Sequence, residues 1–482
     1  MPGIRISTAV RTGPTSNTVR ESSQAFFVGK ALRGPTAEAV LITSVEDFEN
    51  HFGGYQTWSY LHPTVQTFFE EGGTQCYVAR VVGADATSGS LTAIDSEGDD
   101  ALTFTAVGAG DWSENLEIEI VQSGSTINVK LYSDSALLFA TGPVSSNEEV
   151  VGKFARSAVA SRLVEVADDG GLLAAALTST PLSAGDDDRG AIGDTEYVDA
   201  MALFIDSLGT GAIACPESYS QTVYQGLLEH ANNNNRMAIL HTSAGTSDPT
   251  TFAEAITAQE SHLEHAGLFW PWVSVPSTVV GVSRLIPPDG YVAAVRARAH
   301  NQTGAHVPYA GLVTQARFVD GIEYNVGKAD ADIYDDSRVN VIRTIANTIR
   351  VYGARTLTQD TENFRYLTAQ EVVNSIVVDA YRSLEDLVFS TIDGRNNVFA
   401  SVEAKLIGVL EPMRVAGALY EAFDNLGRRI DYGYTVKCDT SLNPVTQLAE
   451  GLVRAKVGVR VSSVGDRIEV DIVKSNLTNS VV

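Results

Sequence analysis

Hydrophobic positions change their period several times along the chain, and each change predicts a different kind of element. In the first twenty or so residues, rich in Ser, Thr and Arg, Ile4 and Ile6 alternate with polar neighbours, which suits an extended arm rather than a helix. At "QAFFVGKALRGP" the pattern becomes an apolar strand, a Gly-Pro turn and a second short strand, "AVLIT". A helix then opens at Ser44 with acidic residues in its first turn. A Ser-, Gly- and Asp-rich stretch follows, carrying the alternating strands "LEIEIVQ" and "INVKLYS" and ending in the turn-forming cluster "SAGDDDRGAIGD". From Tyr197 to about Tyr324 strands and helices alternate: "GAIACPES", "QTVYQGLLEHANN", "RMAILHT", "TTFAEAITAQESHLEHA". That order predicts a mainly parallel sheet.

The last third reads differently. Val373, Ile376, Val377, Ala380, Leu384, Leu387 and Val388 recur at helical spacing and predict one long amphipathic helix. "FASVEAKLIGVLEPMRV" predicts a second, perturbed at Pro412. Three strand-like runs close the chain: "YGYTVKCD", "AKVGVRVSS" and "RIEVDIVK". There is no internal repeat. The expected fold is a multi-domain α/β protein: a mainly parallel-sheet core, a β-rich inserted domain, and an α+β C-terminal domain with extended, strand-donating termini. Its expected parts are an arm at 1–22, a core split between 23–84 and 191–338, a β-rich insertion at 85–190, and a C-terminal domain at 339–482.

Composition narrows the function classes. A chain of 482 residues that is 44% hydrophobic can supply an ordinary core to each of several domains. Its 34 basic and 59 acidic side chains give a net charge of -25, which opposes non-specific attraction to nucleic acid or anionic lipid. Cys76, Cys215 and Cys438 are far apart and in no CxxC pair, so neither a disulfide framework nor a cysteine-rich zinc site is expected, and a reducing cytoplasm is the natural compartment. The start "MPGIRISTAVRTGPT" lacks the apolar stretch of a signal peptide. The most apolar window, "AGLFWPWVSVPSTVVGV", is short and broken by Pro271 and Pro276, so no membrane insertion is expected.

Candidate chemistry concentrates in "IPPDGYVAAVRARAHNQTGAHVPYAG", which carries Asp289, His300 and His306. No GxSxG elbow or activated-cysteine signature accompanies them. His262 and His265 stand three apart on a predicted helix, but HExxH is absent and no third ligand is indicated. "GDDDRG" lacks the full spacing of a calcium loop. No phosphate-binding GxxxxGK[ST] or GxGxxG occurs. The expectation is a non-enzyme without catalytic residues, metal or cofactor. Alternating strands at chain ends can complete a neighbour's sheet through main-chain hydrogen bonds, which makes self-assembly the leading physical reading.

Several stretches, in order, resemble the tail sheath proteins of contractile bacteriophages and related contractile injection systems. They are "PGI", "FFVGKALRGP", "TSVEDFENHFGG", "TFFEEGGTQCYVARVVG", "DWSENLEIEI", "GLFWPWVSVP" with the following "IPPDGYVAAVRARAHNQTGAHVPYAG", "VNVIRTIANTIRVYGARTL" and "VAGALY". The chain departs from that family at Ser113 and Glu114, at "LVFSTIDGRNNVF", and at "AILHTSAG", which stands where an Asp-Pro ending is more usual. The resemblance implies that 286–311 is scaffold. It also implies a helical homo-oligomer of stacked rings around a tail tube protein, with baseplate and tail terminator proteins as further partners, in a virion tail assembled in the bacterial host cytoplasm.

The same resemblance implies inter-subunit strand exchange by segments 4–11 and 467–474, through Ile4, Arg5, Ile6, Ile468, Glu469, Val470, Asp471 and Ile472. The C-terminal domain would lie innermost, with Lys405 and Arg414 as tube contacts, and the insertion outermost. Contraction by subunit rearrangement would drive the tube through the bacterial envelope for genome ejection. The alternatives are a non-contractile lattice protein and an α/β hydrolase-like or metal-dependent enzyme using His262, His265, His300 or Asp289.

Overall fold

The computed structural model describes residues 21–277, 282–392 and 394–466. Its centre is an eight-stranded mixed sheet. In chain order the strands are β1 (Ala25–Gly29), β2 (Val40–Ile42), β3 (Cys76–Arg80), β4 (Ala212–Ala214), β5 (Met237–His241), β6 (Ala266–Trp270), β7 (Val339–Ile345) and β8 (Thr348–Val351). They lie in the order β8-β7-β6-β5-β4-β1-β3-β2. The neighbours from β3 through β1, β4, β5 and β6 to β7 run parallel, and only the edge strands β2 and β8 run antiparallel. Every residue of β1, β4, β5 and β6 is buried. Continuous apolar runs such as "AFFVG" and "MAILH" are what a parallel sheet covered on both faces requires.

One face of the sheet packs on helices α1 (Leu61–Glu70) and α3 (Asp289–Gln302), and the other on α2 (Gln221–Asn233) with its neighbours. Helix α3 is buried on all sides from Asp289 to His300, and a Cβ at Gly290 would stand 2.2 Å from the Thr64 carbonyl oxygen. Glycine is therefore what lets α1 and α3 cross this closely. A short strand, Arg284–Ile286, leads through Pro287 and Pro288 into α3.

Residues between β3 and β4 form two antiparallel sheets. One has three strands, Ser90–Ile94, Asp100–Ala106 and Val164–Asp168; the other has four, Leu116–Ser123, Thr126–Ser133, Ala136–Ala140 and Leu177–Pro181. They share a core that includes Phe104, Ile118, Val129, Leu131 and Phe154. The Arg80 guanidinium, 1% exposed, ties this unit to the main sheet by donating to the carbonyls of Ala31, Leu32, Gly34 and Ala109.

Two long helices follow the main sheet, α4 (Leu367–Leu384) and α5 (Asn397–Val415), and α5 continues through Pro412. Small antiparallel ladders complete the described chain: Ala422–Phe423 with Arg429–Asp431, and Tyr434–Lys437 with Lys456–Val459. Two expectations shift in detail. The helix expected to run through "SHLEH" ends at Gln259, because His262 takes a left-handed conformation (φ 61°) before a short turn at Leu263–His265. On α4 Ile376 is buried and Ala380 and Leu384 pack inward as expected, as does Leu387 just past its end, while Val377 is exposed and Val388 lies beyond the helix. Its first turns are buried more widely than the predicted stripe, with Leu367, Val372 and the polar Gln370, Glu371 and Asn374 included. Among the described residues no helix is long and apolar enough to cross a membrane.

Candidate functional site

The histidines and acids singled out in the sequence are distributed through the scaffold. Asp289 opens α3 and is fully buried; His241, at the end of β5, places Nδ1 3.0 Å from one of its carboxylate oxygens and 3.2 Å from the other. Cys215 follows β4 in the same region, the carboxyl ends of parallel strands where α/β folds place ligands. Burial, with the Glu217 and Asp289 charges adding, pushes its thiol far above the ordinary range, so Cys215 supplies no thiolate at neutral pH. His265 is buried, bonded to the Arg236 carbonyl at 3.1 Å, and burial lowers its pKa. His300 faces the Ser22 carbonyl at 3.2 Å. His262 and His265 share one turn, while Asp289 and His300 sit at opposite ends of α3, and among the described residues no three His, Cys, Asp or Glu side chains form a metal-holding group.

The arginines of "VRARAH" take structural roles that pattern alone does not show. Arg296 meets both oxygens of Glu371 at 2.6 Å, with both side chains at most 2% exposed, and so joins α3 to α4. Arg298 donates to the carbonyls of Glu71, Val313 and Gln315. The Glu71 carboxylate in turn accepts the backbone N–H groups of Arg317, Phe318 and Val319. The stretch 286–311 is a clamp among segments far apart in sequence.

The feature suited to interaction lies late in the described chain. Tyr434–Lys437 and Lys456–Val459 pair with each other in antiparallel register, Tyr434 opposite Val459 and Lys437 opposite Lys456. Among the described residues neither strand has a second partner, so the ladder offers two open edges. Around it Phe423, Leu426, Ile430, Tyr432 and Val445 are exposed, Leu426 at 77% and Val445 at 81%. Exposed apolar side chains beside a ladder edge are a common feature of interaction surfaces.

Lys405 and Arg414 both lie on α5 and both are held within the chain. Lys405 Nζ bonds Asp386 at 2.7 Å and the Ser383 carbonyl at 2.8 Å. Arg414 grips Glu411 and Glu421, which raises its own pKa and, with Tyr434, draws Glu411 down to about 2. The outward residues of α5 between them are Ile407, Gly408 and Pro412, with Val415 beyond, none of them charged. The remaining candidates, Ile4, Arg5, Ile6 and Ile468, Glu469, Val470, Asp471, Ile472, lie outside the described residues.

The fold is similar to that of solved contractile tail sheath proteins. It matches the sheath tail protein of Listeria innocua with a TM-score of 0.62 at 14% identity, over 87% of this chain and 89% of that one. The sheath tail protein of Desulfitobacterium hafniense matches with a TM-score of 0.55 at 16% identity, over 91% and 94%. A chain of the contracted baseplate structure of the anti-feeding prophage matches with a TM-score of 0.59 at 14% identity, over 99% of each. No family model and no curated protein sequence matches the chain.

Proposed function

We propose that this chain is the sheath subunit of a contractile tail or injection device, and that it polymerises around an inner tube and contracts by repacking. The observation that carries the reading is the open-edged ladder of Tyr434–Lys437 and Lys456–Val459, set in the sheath fold close to the chain's end. In this reading the N-terminal arm, through Ile4, Arg5 and Ile6, and the C-terminal arm, through Ile468 to Ile472, add strands to the ladders of neighbouring subunits. Main-chain ladders survive while side-chain surfaces slide and repack, so subunits rotate without the lattice parting. A head-to-tail contact that does not close on itself generates the helical polymer.

The extended lattice is metastable, held on the tube by a barrier until the baseplate releases a wave of repacking. No nucleotide is consumed and the chain is not an enzyme. The tube is proposed to face α5, with Lys405 and Arg414 flanking the contact. Because Arg414 is neutralised by Glu411 and Glu421, the uncharged stretch around Ile407 is the better centre for it. The insertion points outward, a terminator protein caps the far end, and the assembly forms in the host cytoplasm. Deleting residues 1–20 or 467–482 is expected to leave a folded chain that stays monomeric by analytical ultracentrifugation. Tubes of normal length from either deletion contradict the strand-exchange reading.

A further inference from the structure

The described residues near 1–20 and 467–482 are both gripped by arginines, and both grips reach one helix. Ser22 lies two residues after segment 1–20. Its carbonyl accepts Arg296 Nη1 at 2.6 Å, while Nε and Nη2 of the same guanidinium hold Glu371 of α4. Asp466 is the last described residue before 467–482. Its carboxylate accepts the Tyr366 hydroxyl at 2.8 Å and pairs with Arg355 at 2.9 Å. Tyr366 is the N-cap residue of α4, and Glu371 lies in its opening turns.

Arg355 is already matched by the Asp335 carboxylate, which it meets at 2.5 and 2.9 Å, so Asp466 is not needed to neutralise it. Asp466 is also 40% exposed, a position where an ion pair adds little stability by itself. What the pair fixes is direction: a planar guanidinium with several donors holds its partners in one geometry. On the other side Arg296 grips the main chain at Ser22, so tension on the N-terminal arm falls on the buried ion pair.

We propose that the first turns of α4 are a common anchor for both arms, with Arg296 and Arg355 as the positioning residues that set where each arm leaves the body. The purpose of the anchor rests on the sheath reading: load entering a subunit through either arm reaches the same helix, α4, which Arg296 bolts to the core helix α3. Pulling then moves the subunit as one body.

Hydrogen exchange on the soluble chain tests the anchor independently of assembly. In Asp466→Asn with Tyr366→Phe, amides of 456–466 are expected to exchange at least tenfold faster, with 21–29 unchanged. In Arg296→Met with Glu371→Leu the pattern reverses. Arg296→Lys, which keeps a charge opposite Glu371 and gives up the fork, serves if that double variant does not fold. Both sets should also form tubes at least twofold shorter than wild type at equal protein concentration, with melting temperatures within a few degrees. Unchanged exchange at both roots overturns the anchor, as do loosened roots with tubes of unaltered length. Wild type forming no tubes contradicts the sheath reading instead, and the exchange comparison still decides the anchor.

Discussion

Arg296 and Glu371 lie 75 residues apart in sequence and meet in a bidentate pair with almost no exposure. Removing one partner leaves a buried charge unmatched, so Arg296→Met is expected to cost about 3–5 kcal/mol in urea unfolding, whereas Arg296→Met with Glu371→Leu should recover most of that loss. A second residue-scale effect is pH dependence at His230. Its neutral ring accepts Arg236 Nη1 at 2.7 Å, and burial, then the Arg236 charge, hold its pKa down to about 3. An unfolded chain takes up that proton below about pH 6.5, while the folded one does not until about pH 3. The contribution is complete above pH 6.5 and is lost as pH falls, by about 1.4 kcal/mol per pH unit. His230→Gln should flatten the stability profile between pH 6 and 4; an unchanged slope in that variant contradicts the assignment. Residue pairs of this kind were the least legible part of the sequence. Arg296, Arg298 and Arg355 are visible as arginines, but nothing local names Glu371, Glu71, Asp335 or Asp466 as their partners.

Elements were more legible, because period and punctuation are local. The buried run at 25–29, the helix with its Ser44 cap, and the alternating strands at 116–123 and 126–133 all follow from neighbouring residues. Where tertiary contacts decide, pattern misleads. On α4 the polar Gln370 and Asn374 are drawn inward, Gln370 by His265 and Asn374 by the Arg236 carbonyl, which widens the buried side of its first turns beyond the apolar stripe. Packing between elements yields its own prediction. With the Thr64 carbonyl 2.2 Å from where a Cβ would stand, Gly290→Ala must push α1 from α3, at a cost of about 1–3 kcal/mol by thermal unfolding. A change below about 0.5 kcal/mol would mean that the helices part without strain.

At the scale of the whole molecule, the fold class followed from the alternation of strands and helices, and the ordered motifs pointed to the sheath fold that the structure then displays. The two-stranded ladder was not legible as such, since "YGYTVKCD" and "AKVGVRVSS" look like ordinary strands until it is seen that, among the described residues, no third strand joins them. A net charge of -25 means that copies of this chain repel, and screening weakens that repulsion once the Debye length falls to about 10 Å near 0.1 M salt. Assembly should therefore begin at lower protein concentration as salt rises. Negative-stain electron microscopy of the purified full-length chain, over a series of protein and salt concentrations, tests the central claim most directly. Hollow tubes or stacked ring fragments, lengthening with salt, are the predicted result; separate monomers at every concentration and every salt level would contradict the account.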